Sequence, residues 1–166
     1  MFVVFLLLLL VSLVFSVRNG SLQSDFGNHP DEAAHVVTGL MVRDYLAGPL
    51  WEGQAPMAFA EDYYERFPKV ALGHYPPGYY AVEGLWLLPV RSAAAVRVFS
   101  AVVTAATATL VYVFGLFVLP RILAALSALS FALLPLVQKY TAIVMSDMLL
   151  CFWCLLAALS FAEFLR

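Results

Sequence analysis

The stretch that decides the fold is residues 98–119, with the sequence VFSAVVTAATATLVYVFGLFVL. It contains no charged residue, and it is long enough to cross a bilayer, which takes about 20 apolar helical residues. Working outward, the 166-residue chain is 63% hydrophobic and only 12% charged, with a mean hydropathy of +0.89. Ordinary soluble domains are roughly 45–50% apolar and about 25% charged. This composition predicts a membrane protein.

The predicted fold class is an all-α multi-pass membrane protein with about four transmembrane helices. These spans are predicted at residues 1–17, 97–119, 121–138 and 147–165. Residues 18–96 are predicted to form a long extracytoplasmic loop, with juxtamembrane amphipathic helices at about 30–47, 57–67 and 78–90. The last of these covers only about 20 Å as a helix, against a hydrocarbon core of about 30 Å. We therefore expect it to lie at the membrane surface rather than to span.

The short loops set the expected orientation, because positively charged short loops stay in the cytoplasm. Arg121 lies in the link between two spans and Arg166 follows the last span. Four spans and a cytoplasmic N-terminus put both arginines inside and put Asp31 and Asp147 together on the outer face. If residues 78–90 spanned as well, the two acids would part.

Charge and cysteine usage exclude some functions. A net charge of −2 gives no broad basic surface, so nucleic acid is not an expected partner. The only cysteines, Cys151 and Cys154, lie in an apolar run. A redox pair needs a setting that stabilises a thiolate, so inert thiols within the membrane are the expected state.

Two adjacent carboxylates, Asp31 and Glu32, stand in the string HPDEAAH just beyond the first apolar run. Asn28 is a plausible N-cap and Pro30 fits a first helical turn, so the two acids would sit at the positive end of a helix. That placement alone could explain them. However, Asp31 and His35 are also i, i+4 on one helix face, and a carboxylate beside a histidine can act as a general base or bind a cation.

Other candidate site residues lie in the string GHYPPGYY and at the last span. His74, Tyr75 and Tyr79 could face a phosphate headgroup, or could form a stiff turn with an aromatic belt. Asp147 stands at the predicted outer mouth of the last span, where a carboxylate is costly unless it caps a helix or serves a site. Three further charges are interpreted as snorkelling or interface residues, with phosphate neutralisation as an alternative for the first: Arg97, Lys139 and Glu83.

The ordered set of features resembles the N-terminal part of the GT-C membrane glycosyltransferases. The set is an N-terminal span, an outer Asp-Glu helix, a Pro-Pro-Tyr-Tyr segment, a span that begins with an arginine, and an outer Asp before another span. Most similar are the protein O-mannosyltransferase-like enzymes, including the RgtA/B/C/D-like bacterial proteins and the lipid A aminoarabinose transferase. The resemblance implies that Asp31 is catalytic with Glu32 beside it, and that Asp147 is a second acidic residue.

The family's Lys-Pro-Pro or His-Pro-Pro string corresponds roughly to residues 74–77, but Tyr75 stands directly before the prolines and His74 is one place upstream. The predicted substrate-binding residues are His35, His74, Tyr75, Tyr79 and Arg97. Some relatives have a metal-binding Glu near this string, where this chain has Gly73. A divalent metal cofactor therefore stays open, without a clear ligand set.

The implied reaction moves a sugar from a polyprenyl-phosphate donor to a hydroxyl on a lipid, glycan or protein acceptor, with inversion and with Asp31 as general base. The implied location is the bacterial inner membrane, among membrane lipids, with the site facing the periplasm or exterior. Since GT-C enzymes typically have many more spans, we expect this chain to be a fragment that is inactive alone. A small non-catalytic membrane subunit is the main alternative. A transporter is weaker, because the central span offers few polar side chains.

Overall fold

The computed structural model describes residues 1–71 and 73–165 and, within these, contains helices and no strands. A short 3-10 turn follows the first helix, at Ser21–Gln23. The α-helices are α1 Phe2–Arg18, α2 Glu32–Ala47, α3 Pro56–Arg66, α4 Pro77–Leu87, α5 Ala93–Gly115, α6 Arg121–Leu133, α7 Pro135–Ala142 and α8 Asp147–Phe164. Arg166, which was predicted to be cytoplasmic, lies outside the described residues.

Helix α5 is the centre of the bundle, and α1, α6, α7 and α8 pack on it. It starts at Ser92, whose side-chain hydroxyl accepts a hydrogen bond from the Ala95 N–H at 3.1 Å. Small residues line its contacts, so the neighbouring backbones can approach closely. Fully buried alanines of this kind are Ala101, Ala105 and Ala108 on α5 and Ala128 and Ala132 on α6.

Two of the described helices, α5 and α8, are long and apolar enough to cross a membrane, and α6 with α7 makes a third candidate if the bent pair counts as one span. Helix α1 is apolar but has 17 residues, shorter than these. The chain is thus a membrane protein with two to three candidate spans among the described residues. The count of four spans stays a prediction.

The predicted third span, residues 121–138, is not one continuous helix. Helices α6 and α7 meet at a 57° bend between Leu133 and Pro135. Proline has no N–H to continue the helical hydrogen bonds, and its ring clashes with the preceding turn. The side-chain amide of Gln138 donates instead to the Ala132 carbonyl, which the break leaves without its helical partner.

The structure has three α-helices between residues 18 and 92, namely α2, α3 and α4, while their place in an outer loop at a membrane surface stays a prediction. Helix α2 begins two residues later than expected, with Asp31 at the N-cap position and no side-chain cap. A turn through Pro30 explains this, because the Glu32 N–H donates to the His29 carbonyl at 3.1 Å. Asn28 contributes its backbone N–H, which donates to Glu32 Oε2 at 3.1 Å, rather than a capping side chain.

Helices α2 and α4 pack closely because each has a glycine at the contact. A Cβ atom on Gly39 would overlap the Glu83 carboxyl, and one on Gly84 would lie 2.9 Å from Val42 Cγ1 and 3.0 Å from Arg43 N. The α4 side of this pair continues into the main core through Tyr79 and its neighbours, which pack with residues of α5 and α8. Helices α2 and α4 are therefore fixed to the bundle as a packed pair.

Burial overturns the sequence interpretation of two charges. Arg97 and Glu83 were expected to snorkel or to sit at the interface, but Arg97 is 1% exposed and Glu83 is 0% exposed. Arg97 is buried because it pairs with Glu32. Glu83 is buried because it fills the space above Gly39. Lys139 is exposed, in keeping with its expected place.

Candidate functional site

A cleft of about 400 Å³ opens where the start of α2 meets the segment after α3. It combines one carboxylate, two basic side chains and two tyrosines. Its lining consists of Asp31, Ala34, Tyr64, Pro68, Lys69, Val70, Ala71, His74 and Tyr75. Three of the predicted site residues therefore lie together: Asp31, His74 and Tyr75.

Asp31 is the accessible acid of this cleft, with 46% of its side chain exposed. Its position just before α2 presents the carboxylate at the positive end of a helix. His29 lies beside it, with 3.9 Å between its Nδ1 and Asp31 Oδ2. A side-chain hydrogen bond to Asp31 also raises the pKa of the Tyr75 hydroxyl. The Asp31 carboxylate is thus accessible to solvent and lies beside His29 and Tyr75.

His35 lies beneath Asp31 and faces inward rather than into the cleft. It is 0% exposed, and its Nδ1 is 3.0 Å from the Tyr80 hydroxyl. Three tyrosine rings surround it, with ring centroids 4.6 Å away for Tyr75, 5.6 Å for Tyr79 and 5.8 Å for Tyr80. Burial lowers the pKa of His35, against the opposing effect of Asp31 and Asp147. The neutral imidazole is therefore favoured.

Asp147 is exposed at the start of α8, near enough to His35 and Tyr75 for its charge to act on both. The negative charges of both residues oppose the lowering of the His35 pKa by burial, and they add to the raised pKa of Tyr75. The charges of the two acids therefore act on the same two side chains, while their joint role in one site stays a prediction. Asp147 does not line the cleft itself.

Glu32 and Arg97, two further predicted site residues, form a buried ion pair beneath the cleft. Neither the carboxylate nor the guanidinium has more than 1% of its side chain exposed. Tyr79 is buried as well, at 7% exposed. The structure therefore brings these three residues close to Asp31 but not into contact with solvent.

Lys69 is a lining residue that sequence reasoning missed. It follows Pro68 in the segment after α3 and supplies, with His74, the basic side of the cleft. A single lysine outside any recognised string gives no signal by itself. The one available hint is that it lies a few residues before the Pro-Pro string that was already a candidate for phosphate recognition.

Possible metal ligands do not converge in the described part of the chain: within residues 1–71 and 73–165, no group of three or more His, Cys, Asp or Glu side chains could hold a metal ion. Cys151 and Cys154 are free thiols on an exposed face of α8. The cleft is therefore a site whose described chemistry consists of carboxylate, basic and phenolic groups.

Comparison with known proteins adds the family. A family model described as dolichyl-phosphate-mannose-protein mannosyltransferase matches residues 58–166, which is more than half of the chain. The match includes Lys69, His74, Arg97 and Asp147, and it begins after Asp31. No curated protein and no solved structure gives a significant match. The helical membrane fold and this match agree, and the chain belongs to the dolichyl-phosphate-mannose-protein mannosyltransferase family, whose members are membrane glycosyltransferases of the mannosyltransferase kind.

Proposed function

We propose that the protein transfers a sugar from a polyprenyl-phosphate donor to a hydroxyl group of an acceptor, with Asp31 as the general base. The observation that carries this proposal is the accessible Asp31 carboxylate in a cleft that also holds Lys69 and His74. An acid next to basic groups suits a reaction in which a proton is removed at one point and a phosphate departs at another.

The reaction is a single displacement. Asp31 accepts the proton of the acceptor hydroxyl as its oxygen attacks C1 of the sugar. The bond between C1 and the phosphate oxygen breaks, and polyprenyl phosphate leaves with the electron pair. One displacement at C1 inverts the anomeric configuration. Lys69 and His74 face the departing phosphate, and Asp147 adds negative charge on the same side, where positive charge builds at the sugar ring.

The outer location of the site follows from the predicted topology. The lipid tail of the donor stays in the bilayer while its phosphate and sugar reach the cleft beside the outer helices. We therefore place the reaction at the extracytoplasmic face of a cell membrane, with the periplasmic face of a bacterial inner membrane as the proposed setting. The acceptor is a hydroxyl-bearing lipid, glycan or protein.

The test replaces Asp31 in the intact protein, reconstituted in lipid nanodiscs with radiolabelled polyprenyl-phosphate mannose. A serine- and threonine-containing peptide and a membrane glycolipid extract serve as separate acceptors. We expect Asp31→Asn to lower kcat by about 10²–10⁴-fold, the usual contribution of a general base. The matched control is Asp62→Asn, an exposed carboxylate on α3 that does not line the cleft.

Thermal melts of both variants show whether the fold is kept. A folded Asp31→Asn protein that transfers mannose as fast as Asp62→Asn would contradict the role of Asp31. That result would favour the alternative of a non-catalytic membrane subunit whose outer helices bind a partner.

A further inference from the structure

The buried Glu32 carboxylate connects three parts of the chain that are distant in sequence. Its Oε2 accepts a hydrogen bond from the Asn28 N–H at 3.1 Å. Its Oε1 accepts one from Arg97 Nη1 and another from the Val144 N–H at 2.9 Å. The carboxylate thus accepts hydrogen bonds from three segments: the loop before α2, the first turns of α5, and the link between α7 and α8.

The Arg97 guanidinium extends the same network. Its Nη1 also donates to the Ala142 carbonyl at 2.6 Å, and its Nη2 donates to Ser24 Oγ at 3.1 Å and to the Asp25 carbonyl at 3.3 Å. The guanidinium carbon lies 4.7 Å from the centre of the Phe26 ring. The donors on its two terminal nitrogens are directed at protein groups, and 1% of its surface is exposed. Arg97 is therefore arranged to hold segments together rather than to meet a phosphate.

The two ends of this network adjoin the two exposed acids. Asp31 directly precedes Glu32, and Asp147 follows Val144 by three residues. Both acids act on the same two side chains, His35 and Tyr75. Because one carboxylate binds the loop before α2 and the segment before α8 at once, its position determines how far apart the two acids stand.

We propose that the Glu32–Arg97 pair is the positioning element of the site, which holds Asp31 and Asp147 at a fixed separation. This inference rests on the proposed function for its catalytic consequence, while the structural link can be measured by itself. Glu32 acts through Asp31: it does not touch the substrate, and its loss misplaces the base. A small misplacement of a reacting group costs about 10²-fold in rate.

The structural readout is cross-linking across the network. Asn28→Cys and Ser146→Cys are introduced with Cys151→Ser and Cys154→Ser, and a short bis-maleimide is added to the intact protein in nanodiscs. Glu32→Gln keeps the size of the side chain but leaves it only one acceptor oxygen, because the amide nitrogen is a donor. One of the two sets of N–H groups that bind the carboxylate then loses its acceptor. Arg97→Lys keeps the charge but removes the forked donors, and it serves if Glu32→Gln does not fold.

The matched control is Asp44→Asn. Asp44 is on the same helix α2, pairs with Arg43 at 2.7 Å and lies outside the cleft. We expect the cross-linking rate to fall several-fold in Glu32→Gln and in Arg97→Lys, and to stay at the parent value in Asp44→Asn. Equal rates in all four proteins would overturn the proposal.

The catalytic readout separates positioning from direct chemistry. For this measurement Glu32→Gln is the only substitution in the protein. It is expected to lower kcat by about 10²-fold and to leave KM for polyprenyl-phosphate mannose unchanged. The acidic limb of the pH profile of kcat/KM should remain, since Asp31 is still the base. Loss of that limb in Glu32→Gln, with the limb intact in Asp31→Asn, would make Glu32 the base and overturn the proposal.

A full kcat in Glu32→Gln despite slower cross-linking would overturn it too. If Asp31→Asn is as active as the parent, the proposed function fails instead, and the cross-linking rates still decide whether the pair fixes the two segments.

Discussion

At the scale of single residues, the buried Glu83 carboxyl makes folding stability depend on pH. Burial raises the pKa of its carboxyl well above the ordinary value of 4.5, against the opposing effect of the nearby Tyr79 hydroxyl. In the unfolded chain the group loses its proton as the pH rises past 4.5, whereas the folded protein keeps it. Folding stability therefore falls as the pH rises above that value.

This gives a prediction for Glu83→Gln, which cannot ionise. We expect its melting temperature to match that of the parent near pH 4 and to exceed it by a growing margin towards pH 8. Glu61→Gln, an exposed carboxylate on α3, is the control and should show no such trend. Melting curves at intervals of one pH unit provide the measurement, and a margin that shrinks with rising pH would contradict the assignment.

Some site residues could be predicted from the sequence, and others could not. Asp147 stands at the start of an apolar run, where a carboxylate is costly, and Asp31 stands in a string of two acids and two histidines, so the sequence already made both of them candidates. The burial of Glu32 and Arg97 could not be predicted from local sequence patterns, because the two partners of the ion pair are 65 positions apart. Lys69 belongs to no string that stands out, and only the fold brings it to the cleft.

At the scale of elements, the α2–α4 contact depends on glycine. We expect Gly84→Ala to destabilise the protein by about 1–3 kcal/mol, the usual cost of an overpacked contact, because the new methyl group would press on Val42 and on the α2 backbone. Gly78→Ala is a matched control on α4, since nothing lies within 4 Å of its added Cβ.

That control should be neutral or slightly stabilising, because alanine is the better helix former. Chemical denaturation of the two variants in detergent compares them directly. Equal stabilities for Gly84→Ala and Gly78→Ala would show that α2 and α4 have room to separate.

Element positions could be predicted well wherever periodicity or proline marks a boundary. Helix α3 ends before Pro68 and α4 begins at Pro77, close to the expected bounds. The predicted start of α2 was two residues early, because residues 29–32 form a turn that the Glu32 N–H closes on the His29 carbonyl. Pro135 was a visible signal for the break between α6 and α7, and hydropathy alone does not register such a bend.

At the scale of the whole molecule, the predicted orientation can be tested by labelling. We expect Asn28→Cys and Ser146→Cys to react with a membrane-impermeant maleimide from the outer side, and Arg121→Cys to react only from the inner side, in a Cys151→Ser, Cys154→Ser background. The hydrogen bond from the Val144 N–H to Glu32 already requires residues 28 and 146 to share a side. Reaction of these two positions from opposite sides would contradict both the topology and the network.

The buried pair also determines when the outer loop can be completed during synthesis. Glu32 leaves the ribosome 65 residues before Arg97 and 112 residues before Val144. At roughly 5–20 residues per second, the last partner is made about 6–22 s later. Until then the Glu32 carboxylate, which is fully buried in the folded protein, can bind only water or the insertion machinery. Glu32 therefore reaches its final contacts only after the chain between it and Val144 has been made.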